Sequence, residues 1–209
     1  MKYKLTDETK EYLGRTLHRI VCVTAFANVA AGELGGWIEG ERNLDQFGDA
    51  WVCGDARVCG DARVCGNARV CGDARVCGDA RVYGNARVCG DAWVYGDARV
   101  YGNAEVYGNA LVYGNARVCG NAEVYGNAEV CGNAEVDKTA NYIVLKNNWS
   151  SGRYFTYTMS NKMWRVGCFY GTGEELIKKA YADSELSGKC YEAAVRYVEA
   201  LEKIQAEDK

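Results

Sequence analysis

Arginines and tyrosines that recur at fixed intervals are the residues best suited to bind a ligand. Four arginines recur at one constant interval, and two tyrosines each follow one of them at the next position but one: Arg63, Arg81, Arg99, Arg117, Tyr83 and Tyr101. Guanidinium groups bind phosphates, and tyrosine rings stack on bases. If the interval places them in one column, they form an anion-binding strip. The alternative is a solvated surface in which arginines cover tyrosines and pair with nearby aspartates.

A second set of aromatic and arginine side chains lies near the C-terminus. Its members are Trp149, Arg153, Tyr154, Tyr157, Trp164, Arg165 and Tyr170. Such residues either form the core of a small domain or line a pocket for an anionic planar ligand such as a nucleotide. The sequence leaves both interpretations open.

Catalytic and metal-binding groups are scarce. The single histidine, His18, lies outside the repeats described below, and we interpret it as a strand residue and not as a general base. Of the 11 cysteines, eight share one position in a repeated phrase that tyrosine also occupies, so they do not form a ligand set for zinc: Cys53, Cys59, Cys65, Cys71, Cys77, Cys89, Cys119 and Cys131. We expect no catalytic residues, no metal and no cofactor.

The composition indicates a cytoplasmic chain. The N-terminal residues are polar and lack the apolar core of a secretory signal, which predicts reduced cysteines. No run approaches the roughly 20 apolar residues of a membrane span. A net charge of -3 is too small to argue for nucleic acid.

The elements that position the arginine strip are repeats of six residues. Fifteen consecutive hexads from Gly48 follow the phrase Gly-Asp/Asn-Ala-x-Val-Cys/Tyr, and the last of them ends its match at Val136. Valine points inward, alanine lies under the corner, and glycine with Asp or Asn supplies the positive φ of a tight turn. The period resembles that of hexapeptide-repeat, left-handed parallel β-helices, whose coils have three sides. Fifteen repeats then form about five coils.

Three sides per coil place every third hexad above the same side. The second side then carries the least polar patch, which comprises Trp93, Tyr95, Leu111 and Tyr113. An exposed apolar patch marks a partner surface. We expect a homo-oligomer through this patch, with a trimer favoured.

The predicted fold is mainly β, in three parts. Residues 1–47 form an N-terminal β-hairpin cap and a degenerate first coil, in which Ile38 and Leu44 are in phase with Ala50. Residues 48–142 form the left-handed β-helix. Residues 143–209 form a C-terminal α+β domain with a β-hairpin and two helices, the first opened by a capping box at Thr172 and the second beginning after Gly188.

Four features together resemble hexapeptide-repeat proteins of bacteriophages and prophages of gut bacteria. They are the opening KYKLTDE, the motif LGGWIE at 34–39, the Gly-Asn-Ala-x-Val-Tyr array, and GCFYGT at 167–172 before a helix. The resemblance covers nearly the whole chain, although Ser-Ser-Gly-Arg at 150–153 departs from the family's Gly-Ser-Arg order. It implies a phage accessory role in the cytoplasm of an infected or lysogenic host, and it supplies no catalytic residues.

Three functions are consistent with these features. The first is a non-enzymatic binding protein with anti-defence activity, which blocks a host defence protein or sequesters a nucleotide signal. The second is a structural spacer or assembly module of a phage particle. The third, a hexapeptide-repeat acyltransferase, lacks a histidine in the repeats and an inserted loop.

Overall fold

The computed structural model describes residues 1–207 and divides the chain into two compact units, 1–142 and 143–209. The N-terminal unit begins with the antiparallel strands β1 (Tyr3–Tyr12) and β2 (Arg15–Cys22). Strand β3 (Leu34–Ile38) is antiparallel to β2, and a 3-10 helix (Glu41–Asn43) follows it. The predicted N-terminal hairpin is thus present, and its first strand extends through the polar residues up to Tyr12.

Each hexad contributes one two-residue strand. These strands, β4 to β18 in chain order, are Trp51–Val52, Arg57–Val58, Arg63–Val64, Arg69–Val70, Arg75–Val76, Arg81–Val82, Arg87–Val88, Trp93–Val94, Arg99–Val100, Glu105–Val106, Leu111–Val112, Arg117–Val118, Glu123–Val124, Glu129–Val130 and Glu135–Val136. They form a parallel β-solenoid with three faces. The first face contains β4, β7, β10, β13 and β16; the second β5, β8, β11, β14 and β17; the third β6, β9, β12, β15 and β18.

Each strand from β4 to β15 pairs in register with the strand three hexads further along the chain, so Arg63 lies beside Arg81 and Trp93 beside Leu111. The second face continues through β3 into the N-terminal hairpin, because β3 pairs in parallel with β5. The predicted columns are thus present, in a mainly β protein.

Alanine and valine of the hexads fill the interior, as predicted: every one from Ala50 to Val136 is at most 1% exposed. The hexad glycines adopt positive φ, whereas no hexad Asp or Asn does, so the turn depends on glycine alone. At Gly84, with φ +73°, a Cβ would lie 3.0 Å from the Gly102 nitrogen of the next coil. Glycine therefore serves both the turn and the close stacking of coils.

The first coil departs from the expected phase. Ile38 pairs with Val58 and Leu44 with Val64, so both occupy valine positions and not the alanine position of Ala50. The stretch from Leu44 to the next inward valine, Val52, is longer than one hexad, and the exposed Phe47 lies within it. This longer corner takes up the difference in phase.

The 3-10 turn before Leu44 replaces a regular corner. Within it the buried Asn43 amide donates to the carbonyls of Gly60 and Ala62, both at 2.9 Å. These carbonyls belong to the next coil, whose edge has no regular hexad to pair with at this point. The side chain of Asn43 therefore supplies hydrogen bonds that a backbone would otherwise make.

The cysteines are not all reduced in this structure. Cys53 and Cys71 occupy the same hexad position on adjacent coils of the first face and form a disulfide, with Cα atoms 4.7 Å apart. The sequence predicts reduced thiols because the N-terminal residues lack the apolar core of a secretory signal. The coil spacing itself falls within the Cα separation that a disulfide spans.

The C-terminal unit is a four-stranded sheet with two helices. The strands are β19 (Tyr142–Lys146), β20 (Tyr154–Thr158), β21 (Met163–Val166) and β22 (Phe169–Gly171). Helix α1 (Gly173–Asp183) begins with the expected capping box, in which Thr172 Oγ1 accepts from Glu175 N–H. Helix α2 (Glu185–Glu207) starts before Gly188, contrary to prediction. No helix among residues 1–207 is both long and apolar enough to cross a membrane.

Candidate functional site

The structure brings the predicted arginine strip together on the third face. Arg63, Arg81, Arg99 and Arg117 lie in direct register on β6, β9, β12 and β15, and all four are exposed. Like charges opposite one another on adjacent strands repel. Within residues 1–207, none of these arginines forms an ion pair or a hydrogen bond through its side chain. Their positive charge is therefore available to a ligand.

Tyr83 and Tyr101 lie beside this strip and stack on each other. Their ring centroids are 5.0 Å apart and their planes differ by 3°. A hydrogen bond to Cys119, on the next coil, raises the pKa of Tyr101 to about 12. Both the charge and the aromatic surface needed for the predicted strip are thus present.

A groove of about 290 Å³ lies between the arginines and the column of tyrosines. Its lining consists of Arg63, Cys65, Arg81, Tyr83 and Arg99. Burial raises the pKa of the Cys65 thiol, and the carboxylate of Asp45 adds to the effect. The thiol is therefore neutral near pH 7 and adds no negative charge to the groove.

The other two faces use their arginines differently. On the second face the guanidinium of Arg57 covers the Tyr12 ring and that of Arg75 covers Trp93, at 5.0 and 5.7 Å from the ring centroids. On the first face Arg87 pairs with Glu105 at 3.8 Å. The arginines of these two faces therefore have aromatic or acidic partners, whereas those of the third face are exposed and form no ion pair within residues 1–207.

The predicted apolar patch is assembled on the second face. Trp93 lies beside Leu111 in register, Trp93 contacts Tyr95 with centroids 4.9 Å apart, and Tyr95 stacks on Tyr113 at 4.8 Å. All four side chains are half-buried within the single chain. The patch is continuous, as a partner surface requires.

The sheet of the C-terminal unit divides the predicted tail cluster. Tyr157 and Trp164 pair across β20 and β21 and lie in the hydrophobic core, at 4% and 2% exposure. Arg165 pairs with Tyr170 on the alternate row of the same strands. Because successive residues of a strand point to opposite faces, these two pairs cannot line one pocket.

The remaining tail residues lie apart from one another. Trp149 packs edge-on against Phe155 and Tyr191 at the margin of the core. Tyr154 is 42% exposed and lies under the Lys146 ammonium. Arg153 lines a cavity, which is described next. Part of the cluster is therefore core, and Arg153 is the member best placed to meet a ligand.

The cavity beside Arg153 measures about 310 Å³ and lies wholly within the C-terminal unit. Its lining combines the cations Arg153 and Lys179 with one acid, Asp183, and with apolar surface from Phe169 and Leu176. Within residues 1–207 neither Arg153 nor Lys179 forms an ion pair. An excess of one positive charge beside apolar surface suits an organic anion.

Asn147 fixes the loop that carries Arg153. Its buried amide donates to Ser150 Oγ at 3.0 Å and to the Tyr191 hydroxyl at 2.9 Å, while its backbone N–H donates to the Arg153 carbonyl at 2.8 Å. Gly167, with φ +55°, lies close to the Arg153 guanidinium, which a Cβ there would approach to 3.4 Å. The hydrogen bonds of Asn147 therefore hold the loop that carries Arg153 in one conformation before any ligand binds.

Sequence reasoning missed two residues of this cavity, Lys179 and Asn147. Lys179 is one of two consecutive lysines on α1, and nothing in their spacing separates the one that lines the cavity from its neighbour. Asn147 begins an Asn-x-x-Ser loop, which is a signal for a side-chain-capped turn. That signal was available from the sequence.

A second cavity, also of about 310 Å³, is lined by Tyr157 and Trp164 together with Glu174, Glu199 and Glu202. The Tyr157 hydroxyl donates to Glu202 at 2.7 Å. Three carboxylates make this cavity unsuitable for an anion.

The remaining titratable groups offer no further site. His18 lies on β2, paired with Thr9 and Ile38, as expected of a strand residue. Among residues 1–207 no three metal-binding side chains come together. A cavity of about 460 Å³ next to the groove is lined by Glu41 and Asp45 as well as by Arg42 and Arg63, so its charges balance. The third-face groove and the cavity beside Arg153 are therefore the two candidate sites for an anion.

Comparison with known families finds one match, confined to the solenoid. Residues 62–78, 74–90, 80–96 and 104–120 match the YdcK beta solenoid repeat. These stretches contain most of the third-face strip, and they agree with a repeat β-solenoid protein. No curated protein matches the chain.

Proposed function

We propose that the protein is a non-enzymatic binding protein whose C-terminal unit holds a small organic anion of the nucleotide type. The observation that carries this proposal is the cavity of about 310 Å³ in which Arg153 and Lys179 stand without ion-pair partners within residues 1–207. Charged hydrogen bonds from these groups would bind the phosphates, and Phe169 and Leu176 would contact the apolar part of the ligand.

The biological setting of the proposal is an accessory protein of a phage or prophage that acts in the host cytoplasm. Sequestration of a nucleotide signal of a host immune system is its most concrete form, and a host defence protein is the alternative partner. This setting depends on the resemblance of the LGGWIE and GCFYGT motifs and of the repeats to phage-encoded hexapeptide-repeat proteins. The cavity supports the binding of an anion.

Calorimetry of the full chain with cyclic oligonucleotides and with ADP-ribose tests the proposal. Arg153→Ala and Lys179→Ala should each weaken binding roughly tenfold or more, because each removes a charged hydrogen-bond donor. Lys178→Ala is the matched control, since Lys178 is an exposed neighbour that does not line the cavity. Trp164 lies in the core, so Trp164→Ala would report on folding and not on the ligand. Absence of binding by every nucleotide would refute sequestration.

We also propose self-association through the patch of Trp93, Tyr95, Leu111 and Tyr113, with a trimer favoured because β-helices of the type that the repeats resemble often trimerise. Half-buried aromatic rings in one continuous patch support it. Sedimentation of Leu111→Glu tests the interface, with Leu13→Glu, an exposed residue at the hairpin turn, as the control. A monomer in the parent protein would exclude this interface.

A further inference from the structure

The tyrosines at the last hexad position form ladders with a constant pitch. Besides Tyr83 and Tyr101, the pairs Tyr95–Tyr113 and Tyr107–Tyr125 stack with centroids 4.8 and 5.3 Å apart and planes within 10°. The coil spacing therefore places successive rings parallel, close to the separation of strands in a sheet. Each ladder begins where cysteine on one coil gives way to tyrosine on the next coil.

On the third face, this cysteine is Cys65. Tyr101 covers one face of the Tyr83 ring, and the other face points towards the coil of Cys65, because Arg63 and Arg81 pair in register. A thiol is much smaller than a phenol ring. The groove of about 290 Å³ above Cys65 thus lies where one more ring of the ladder would stand.

The other ladders also begin with a cysteine, but they lack this combination. On the first face Cys89 precedes Tyr107, and there the neighbouring Arg87 is paired with Glu105 at 3.8 Å. On the second face Cys77 precedes Tyr95, and Cys77 is buried in a cluster with Leu17 and Trp37. Within residues 1–207, an open ring position beside cations without ion pairs is found on the third face.

We propose that this groove binds a planar aromatic anion. The ring of the ligand stacks on Tyr83 above Cys65, and its phosphate or carboxylate meets the guanidinium groups of Arg63 and Arg81. Stacking on tyrosine tolerates many ring types, whereas the arginines require the negative charge. The negative charge of Asp45 reaches Cys65, but the three arginines that line the groove, Arg63, Arg81 and Arg99, exceed it.

This site is independent of the C-terminal cavity, so its test uses protein that carries Arg153→Ala and Lys179→Ala. Calorimetry of that protein with AMP, adenosine, benzoate and inorganic phosphate separates the contributions of ring and charge. We expect AMP to bind more tightly than adenosine or phosphate alone. Comparison of the affinities for benzoate and AMP shows whether the groove prefers an aromatic carboxylate or a nucleotide.

Two matched substitutions locate the site. Cys65→Tyr adds the missing ring to the third-face ladder and should abolish AMP binding without loss of thermal stability. Cys89→Tyr makes the same change on the first face, where it should leave AMP binding unchanged. Arg81→Gln should weaken AMP roughly tenfold and leave adenosine unaffected, which keeps the proposal testable if Cys65→Tyr does not fold. AMP binding that survives both Cys65→Tyr and Arg81→Gln, or absence of binding by AMP and benzoate, would overturn the proposal and leave the C-terminal one intact.

Discussion

The thiol of Cys59 donates a hydrogen bond to the sulfur of Cys77, and the two sulfur atoms lie 2.8 Å apart on adjacent coils. This hydrogen bond lowers the pKa of Cys77 and raises that of Cys59. Both residues are buried beneath the N-terminal hairpin, in a cluster with Leu17 and Trp37. They share the coil-to-coil register that allows Cys53 and Cys71 to form a disulfide.

We therefore predict that mild oxidation with diamide joins Cys59 to Cys77. The structure has nine free cysteines, and titration of thiols after denaturation should show two fewer in the oxidised protein. Cys77→Ser should remove this loss, whereas Cys65→Ser should retain it, since Cys65 has tyrosine and not cysteine on the next coil. Equal losses in both variants would show that other cysteines react.

Glu39 joins the hairpin to the first coil. Its carboxylate accepts Gly60 N–H at 2.7 Å, the Arg15 guanidinium at 2.8 Å and the Arg42 guanidinium at 2.9 Å. Partial burial opposes ionisation, but the hydrogen bonds from Gly60 and Arg15 outweigh it and lower the pKa of Glu39. Glu39→Gln should lower the free energy of unfolding by about 1.5–3 kcal/mol at pH 7, the range for hydrogen bonds to charged groups.

This contribution of Glu39 depends on pH. A carboxyl group whose pKa is lower in the folded state contributes its full stabilisation of the fold at pH values above its pKa in the unfolded chain, about 4.3. This stabilisation is lost as the pH falls through the pKa of the folded state. Urea unfolding between pH 7 and pH 3 should therefore show the two proteins converging at the acidic end. Glu41→Gln is the control, because Glu41 is exposed and its carboxylate forms no ion pair within residues 1–207. A constant difference across the range would exclude ionisation of Glu39 as the cause.

Four asparagines form a chain of side-chain hydrogen bonds beside the first face. Asn67 donates to Asn85, Asn85 to Asn103 and Asn103 to Asn121, at 3.1, 3.0 and 3.0 Å. Asn103→Asp removes a donor and places a carboxylate near Glu105. We expect unfolding free energy to fall by about 0.5–1.5 kcal/mol, measured in urea. Asn109→Asp, at an exposed corner beside Leu111, should have a smaller effect, and equal losses would argue against the chain of bonds.

Alanine substitutions at two glycines distinguish the free-energy cost of a strained turn from that of a clash between stacked coils. Gly84 and Gly126 have similar positive φ, +73° and +68°, but a Cβ on Gly84 would lie 3.0 Å from Gly102, whereas nothing lies within 4 Å of one on Gly126. Gly126→Ala should cost about 1–2 kcal/mol for the left-handed conformation alone. Gly84→Ala should cost clearly more. Similar unfolding midpoints for the two variants would show that coil contact contributes little.

The sequence predicts the solenoid because its period is strict. Alternation places valine inward, and a repeat of three hexads per coil fixes which arginines and tyrosines form columns. The first coil was predicted in the wrong phase, because the chain between Leu44 and Val52 is longer than a hexad. The hydrophobic pattern does not show where the extra residues lie, because the apolar Phe47 in that corner is exposed and not buried.

The C-terminal unit was less predictable, because its site depends on tertiary packing. The sequence indicates the strand β20 but not that residues on both of its faces, such as Thr156 and Tyr157, are buried, whereas Arg153 precedes the strand and is exposed. The sequence predicts that the second helix begins after Gly188. In the structure Gly188 lies inside α2 and leaves space for the Tyr181 ring. Lys179 lines the cavity only because of where α1 packs in the folded unit, which the sequence does not show.

The strict register of three hexads per coil also determines how the gene can change in length. Loss of one whole coil would preserve every column, since each remaining residue would meet its counterpart on the same face. Loss of a single hexad would instead turn all later residues by one face, so that Arg81 would stand above Arg57 and no longer above Arg63. Deletions of whole coils therefore keep the three faces distinct, whereas smaller deletions mix residues of different faces.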